Sequence, residues 1–117
     1  MPEIAIKTFN LLQTNTDIVL CLLGDGPLHE SCIRAPHSKR IIFKGHVNNV
    51  DKYLEAADGF ISTSRSEGMP NSVLESLAHG VPVILSDIPS HKEILSYSND
   101  AGTLYPVSDA NKLAEVI

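Results

Sequence analysis

Basic residues are scarce and form no run beyond the pair Lys39-Arg40: nine Lys plus Arg stand against fourteen Asp plus Glu, a formal net charge of −5. That balance leaves no electrostatic footprint for DNA, RNA or an anionic membrane surface, so nucleic acid is not expected as a partner. Cysteine is limited to Cys21 and Cys32, with no Cys-x-x-Cys; two are too few for a disulfide framework, and a reduced, cytoplasmic setting is expected. Long apolar runs are missing too. The longest, Ile18 to Leu23 and Val81 to Leu85, fall far short of the roughly 20 residues that span a bilayer. The opening MPEIAIKTFN lacks a basic segment followed by an apolar run and a small-residue cleavage site, so it does not read as a secretion signal. Internal repeats, low-complexity tracts and linkers are also absent. What remains, 43 % apolar and 20 % charged over 117 residues, is the composition of one globular domain, 1–117, with a packed core.

Periodicity supplies the order of segments. Ile4, Ile6, Phe9, Leu11 and Leu12 form a loose helical stripe that stops near Thr14-Asn15-Thr16, residues whose side chains compete for backbone hydrogen bonds. The run Asp17 to Leu23, closed by Gly24-Asp25-Gly26-Pro27, predicts a buried strand followed by a turn. Asp25 is expected to cap the helix from Leu28 to about Ala35. Strands are then expected over Arg40–Gly45, Gly59–Thr63, Val81–Ser86 and Ala101–Tyr105, and helices over Asp51–Ala57, Asn71–His79, His91–Leu95 and Asp109–Ile117. Continuous apolar strands alternating with helices argue for an α/β, doubly wound parallel sheet covered on both faces. In such sheets ligands bind beyond the carboxyl ends of the strands, here the loops after Leu23, Lys44, Thr63 and Ser86. A helix at the very start and an amphipathic pattern without a C-cap at the end suggest a domain truncated at both ends.

The segment Ser62 to Val83 concentrates the chemistry. Pro70 suits a helix start, and Asn71-Ser72 offer side chains that compete well there, so a helix is expected to begin near Asn71. Free amides at that point, with the positive end of the helix dipole behind them, suit a phosphate. Glu67 lies just before the helix start and Glu75 about one and a half turns inside; a carboxylate accepts two hydroxyl hydrogen bonds at once from a vicinal diol. Two such acceptors beside a phosphate site suit a ligand with sugar hydroxyls on both sides of a diphosphate, as in a nucleotide sugar.

This segment resembles the Glu-x7-Glu motif of the retaining glycosyltransferases of family 4, the group 1 transferases with the two-Rossmann GT-B fold. The likeness runs through Glu67-Gly68-Met69-Pro70-Asn71, Leu74 to Val83 and Ser86 to Glu93, and upstream through Leu23 to Leu28 and Ile42 to Val47, essentially the whole chain. It implies a Rossmann-like doubly wound parallel sheet, the C-terminal half of a GT-B fold. It also implies a donor half-site. In it Glu75 holds the ribose hydroxyls, and Glu67, the catalytic candidate, contacts the transferred sugar. Gly68, Met69, Pro70, Asn71 and Ser72 lie near sugar and diphosphate, and Gly45, His46 and Val47 border the base. The implied reaction moves a hexose or N-acetylhexosamine from a nucleotide-sugar donor, a UDP donor foremost, to a polysaccharide or glycolipid acceptor, without cofactor or metal. Its partners would be the nucleotide-sugar donor and an N-terminal Rossmann domain carrying the acceptor site. Any peripheral membrane association would come through regions outside these 117 residues. The basic residues that hold the diphosphate in that family precede the first helix found here, so the isolated chain is expected to be inactive.

Other readings stay open at the level of sequence. These are a non-catalytic nucleotide-sugar-binding module or the donor subunit of a two-chain enzyme, a UDP-sugar epimerase fragment, and a phospho-acceptor receiver domain. His79 beside Gly80 reads as a helix terminus rather than a catalyst. His29, His37, His46 and His91 show no metal-ligand spacing, and no metal site is expected. Arg65 is expected either to reach a phosphate or to pair with an acid such as Glu67. The serines from Ser62 to Ser66 lack the Gly-x-Ser-x-Gly of a nucleophile elbow.

Overall fold

The computed structural model describes residues 1–13 and 16–117. Helix α1 (Pro2–Leu11) opens the chain, with Ala5, Ile6, Thr8 and Phe9 as its buried stripe. Thr14 and Asn15, part of the polar cluster expected to end it, lie outside the described residues. The helix is followed by β1 (Leu20–Leu23), α2 (His29–Arg34), β2 (Ile41–Gly45), α3 (Val50–Ala56) and β3 (Phe60–Ser62). Then come α4 (Asn71–Ala78), β4 (Val83–Ser86), α5 (Pro89–Ser96), a short 3-10 turn over Asn99–Ala101, β5 (Gly102–Tyr105) and α6 (Ala110–Val116). The alternation expected from the sequence is present throughout.

Every ladder is parallel, but the strands form two sheets: β1 with β2, and β3-β4-β5 with β4 central. The α/β, parallel-stranded architecture expected from the sequence is present, with its strands divided between two sheets. Among the described residues β1 and β3 share no ladder; Leu22 and Ile61 instead both pack against one apolar cluster. That cluster, Ala5, Ile6, Phe9, Leu20, Cys32 and Ile41, lies between α1, α2 and the first sheet. A second, Val73, Val83, Leu85 and Leu95, lies between α4, α5 and β4. Phe60 packs against the second cluster and its neighbour Ile61 against the first, so the alternation of a strand sends β3 side chains to two helical layers. The doubly wound α/β character rests on that division.

The expectation of a fully buried strand from Asp17 is corrected. Ladder pairing starts at Leu20, Ile18 and Val19 stay exposed, and along β1 Leu20 is buried while Cys21 is exposed. Helices α1 and α2 cover one face of this sheet, and Ile42 on the other face is 42 % exposed. Thus the apolar run reflects cover on one side only.

Side chains tie the layers together. Asn10 of α1 donates to the Pro36 carbonyl at 3.2 Å and accepts from the Ser38 amide at 2.8 Å, clamping the turn before β2. The Arg40 guanidinium donates to the Leu12 carbonyl at 3.0 Å, beside the end of α1. Helix α4 stops where the Gly80 amide bonds the Leu77 carbonyl (2.9 Å) and the Val81 amide the Ser76 carbonyl (3.0 Å). This reciprocal pair needs a left-handed residue, and Gly80 supplies φ of 73°. Asp109 caps α6 by accepting from the Lys112 amide at 2.9 Å. Asp25, expected to cap α2, does not; Leu28 holds that position without a side-chain cap, and the turn closes by the His29 amide on the Gly26 carbonyl at 2.9 Å.

Candidate functional site

In a parallel sheet, neighbouring strands end side by side, so the loops after β3 and β4 are brought together by the β3–β4 ladder. The first loop carries Arg65, Glu67, Gly68 and Met69, and the second leads through Asp87 and Ile88 into α5. Three successive residues at the end of β3 are pinned from three directions. The buried Tyr105 hydroxyl donates to the Ser62 carbonyl at 3.2 Å, Thr63 Oγ1 donates to the Met1 carbonyl at 2.5 Å, and Ser86 Oγ donates to the Ser64 carbonyl at 2.6 Å. Burial pushes the Tyr105 phenol up to about 12, because a phenolate there would lose its water.

Glu67 is tied down as well, by a residue that the sequence reading did not single out. His91, in the first turn of α5, has no exposed surface, and its Nε2 lies 3.0 Å from Glu67 Oε2. Its Nδ1 lies 2.8 Å from the Ser86 carbonyl and 3.3 Å from Ser86 Oγ. The Glu67 side chain keeps 32 % of its surface open, and its Oε1 has no hydrogen-bond or ion-pair partner among the described residues. Arg65, the partner considered for Glu67, forms no ion pair among the described residues. Only the adjacency of β3 and β4, not the local sequence around His91, points to this pairing.

Helix α4 begins at Asn71, as expected, but its capping differs. Pro70, not Asn71 or Ser72, is the N-cap, and no side chain caps the helix. The Asn71 amide is taken by the Met69 carbonyl at 2.9 Å, and the Val73 and Leu74 amides both meet the Pro70 carbonyl at 3.1 Å. The expected row of free amides is therefore narrower, because the proline turn folds its own carbonyls over them. Of the amides in that turn, Ser72's makes no backbone bond of this kind among the described residues. Gly68, Met69, Asn71, Ser72 and Glu75 are exposed, Met69 at 69 %, while Pro70 is buried. Glu75 stands on α4 with its carbonyl accepting the His79 amide at 3.2 Å; His79 Nδ1 also lies 2.8 Å from that carbonyl. The helix-end reading of His79 agrees with this geometry.

Gly45, His46 and Val47 lie at the end of β2, in the other sheet. Gly45 adopts φ of 65°, and its carbonyl accepts the Gly24 amide at 2.6 Å, joining the loops after β1 and β2. His46 is exposed, with Nε2 3.1 Å from Asn48 Oδ1. No hydrogen bond or ion pair links this group to Glu67 or Glu75 among the described residues. Among those residues, no group of three or more His, Cys, Asp or Glu is arranged to hold a metal ion, and no helix is long and apolar enough to cross a membrane.

Comparison with known proteins gives a family-level result. The family model described as glycosyl transferases group 1 matches residues 2–117. The chain is 38 % identical over 97 residues to TuaC of Bacillus subtilis (strain 168), assigned as a glycosyltransferase of teichuronic acid biosynthesis, covering 81 % of this chain and 23 % of that protein. It is 30 % identical over 116 residues to the N-acetyl-alpha-D-glucosaminyl L-malate synthase of Bacillus anthracis, covering 94 % and 30 %. A third similarity, 28 % over 106 residues, is to the UDP-Gal:alpha-D-GlcNAc-diphosphoundecaprenol alpha-1,3-galactosyltransferase of Escherichia coli, covering 86 % and 27 %. The chain thus spans about a quarter of the length of the curated relatives it matches.

Proposed function

The chain belongs to the glycosyl transferases of group 1, and from that premise we propose that it is the donor-binding part of a retaining glycosyltransferase. The donor is a UDP-hexose or UDP-N-acetylhexosamine, and the acceptor a polysaccharide or glycolipid. In this reading Glu75 accepts the ribose hydroxyls and Glu67 contacts the transferred sugar. Gly68, Met69, Pro70, Asn71 and Ser72 border sugar and diphosphate, and Gly45, His46 and Val47 border the base. Departing negative charge on the diphosphate is met by backbone dipoles and positive side chains, without a metal. Since the chain spans about a quarter of its relatives, the acceptor side and the basic groups for the diphosphate belong to other parts of an enzyme, and this chain alone binds donor without turnover.

The observation that carries the reading is the Glu67 carboxylate, bound through Oε2 by His91 with Oε1 unpaired among the described residues, one loop ahead of the helix that presents Glu75. The UDP-Gal donor named for the Escherichia coli relative supports the uridine choice. The test is an amide-shift titration of the chain with UDP, GDP and their hexose conjugates, with Glu75→Ala as control and with EDTA added to one series. Saturable shifts at residues 45–47 and 67–75 with the uridine ligands, lost in Glu75→Ala and indifferent to EDTA, are expected. Absence of any shift at millimolar ligand, or shifts confined to another surface, would refute it.

A further inference from the structure

The partners of His91 define where protons must lie around its ring. Ser86 Oγ has one proton, and it is committed to the Ser64 carbonyl at 2.6 Å, an acceptor only. Nδ1 therefore faces two acceptors, the Ser86 carbonyl at 2.8 Å and the Ser86 hydroxyl oxygen at 3.3 Å, and must be the N–H nitrogen. A neutral ring of that tautomer would point the Nε2 lone pair at Glu67 Oε2, 3.0 Å away, with no proton between two acceptors. The arrangement closes only if a second proton lies on the Nε2–Oε2 line. His91 is fully buried, so no water screens this contact on the imidazole side.

From this geometry we infer that His91 is a positioning residue: a buried, doubly protonated imidazole that binds Oε2 of Glu67 and leaves Oε1 as the single free acceptor for a hydroxyl of the transferred sugar. The inference rests on the proposed role of Glu67. The order of attachment is Ser64 carbonyl to Ser86 hydroxyl, Ser86 carbonyl to His91 Nδ1, and His91 Nε2 to Glu67. The main chain of β4 and the first turn of α5 thereby set the carboxylate plane, and the site reads a hydroxyl at one place rather than two. No atom of His91 need touch the ligand.

The test uses long-range nitrogen–proton correlation spectra of the imidazole rings in the isotope-labelled chain, wild type and Glu67→Gln. The expected wild-type spectrum shows both His91 nitrogens protonated, and Glu67→Gln converts the ring to the neutral Nδ1–H tautomer, because the amide can donate to Nε2. A neutral Nε2–H tautomer in wild type, or a ring state unmoved by Glu67→Gln, overturns the inference. Affinities for UDP and UDP-glucose then separate positioning from packing. His91→Gln is expected to weaken UDP-glucose by about tenfold and to leave UDP unchanged, since only the sugar meets Glu67. Should Glu67→Gln weaken UDP-glucose while His91→Gln does not, the inference fails and the proposed function stands. If neither variant alters the UDP-glucose to UDP ratio, the role of Glu67 fails, and the inference with it. Where His91→Gln loses its dispersed amide spectrum, the ring spectra of wild type and Glu67→Gln decide the matter.

Discussion

Gly102 offers the sharpest perturbation of the sheet that carries the site. It pairs with Val83 across the β4–β5 ladder, and a Cβ built on it would lie 2.3 Å from the Val83 carbonyl oxygen, 2.5 Å from Val83 Cγ2 and 3.1 Å from the Val83 carbonyl carbon. Its backbone is extended, so alanine carries no conformational penalty there; the whole cost is steric. Val83 is 1 % exposed on a central strand, and its carbonyl cannot swing away as a flexible side chain would. Relief requires β4 and β5 to separate by about 1 Å, which loosens ladder hydrogen bonds and opens the cluster around Val83 and Leu85; overpacking of this kind costs about 2–3 kcal/mol. At about 4 °C per kcal/mol for a domain of this size, Gly102→Ala should melt about 10 °C below wild type. Gly59 is the internal control. It precedes β3, where the added Cβ would meet the Pro82 carbonyl at 3.7 Å, an ordinary contact, so Gly59→Ala is expected to be neutral or stabilising by about 0.5 kcal/mol through the unfolded chain. Thermal and urea denaturation of both variants decides the issue. Equal melting temperatures for the two would refute the steric argument and the register from which it is drawn.

Two further outcomes follow from the bonds around the β3 loop. Tyr105 has its phenol raised to about 12, above the ordinary value of 10.0, so between those pH values the folded chain keeps a proton that the unfolded chain releases. Stability should therefore be unaffected by this group below pH 10 and fall by about 1.4 kcal/mol per pH unit towards pH 12; urea midpoints at rising pH measure it, and a Tyr105→Phe variant that keeps the same slope would refute the assignment. Ser86→Ala removes the donor to the Ser64 carbonyl. A loss of about 1–2 kcal/mol in urea titration is expected, together with weaker binding of UDP-sugars relative to UDP, and a normal sugar-to-nucleotide affinity ratio would show that this tie does not act on Glu67.

The order of helices and strands was legible because its signals are local. Turn residues such as Gly24-Asp25-Gly26-Pro27 close strands, and Gly80 ends α4 through the one conformation that a side chain resists. The Glu67 and Glu75 pair could likewise be read from spacing and from the family motif that contains it. The division into two sheets could not, since a ladder depends on which backbones meet, and both Leu22 and Ile61 look like ordinary core residues whether or not their strands pair. His91 escaped for a related reason. It lies 24 residues from Glu67, and a lone histidine near a helix start carries no local signal; only the β3–β4 adjacency places it against the carboxylate. Free amides at α4 were overcounted because proline at the N-cap directs two amides to its own carbonyl, a detail of turn geometry that composition does not encode.

The two carboxylates are held by different physics, and this bears on what each can recognise. Glu75 is oriented by the register of α4 alone: among the described residues its carboxylate makes no ion pair or side-chain hydrogen bond, and it stays exposed. It can adapt its rotamer to a diol, at the entropic cost of ordering a long side chain. Glu67 sits on a loop, where an exposed backbone would ordinarily be among the least protected parts of a fold. Yet between Ser62 and Glu67 the loop is tied to β5 through Tyr105, to the start of α1 through Met1, to β4 through Ser86 and to α5 through His91. Four elements distant in sequence thus converge on six residues, and the ordering cost is met during folding rather than at binding. A preorganised acceptor is what discrimination among sugar hydroxyls requires, because a misplaced hydroxyl then leaves a desolvated carboxylate oxygen without a partner. In the proposed reading, the adaptable acid meets the ribose common to all nucleotide donors, and the fixed acid meets the sugar by which those donors differ.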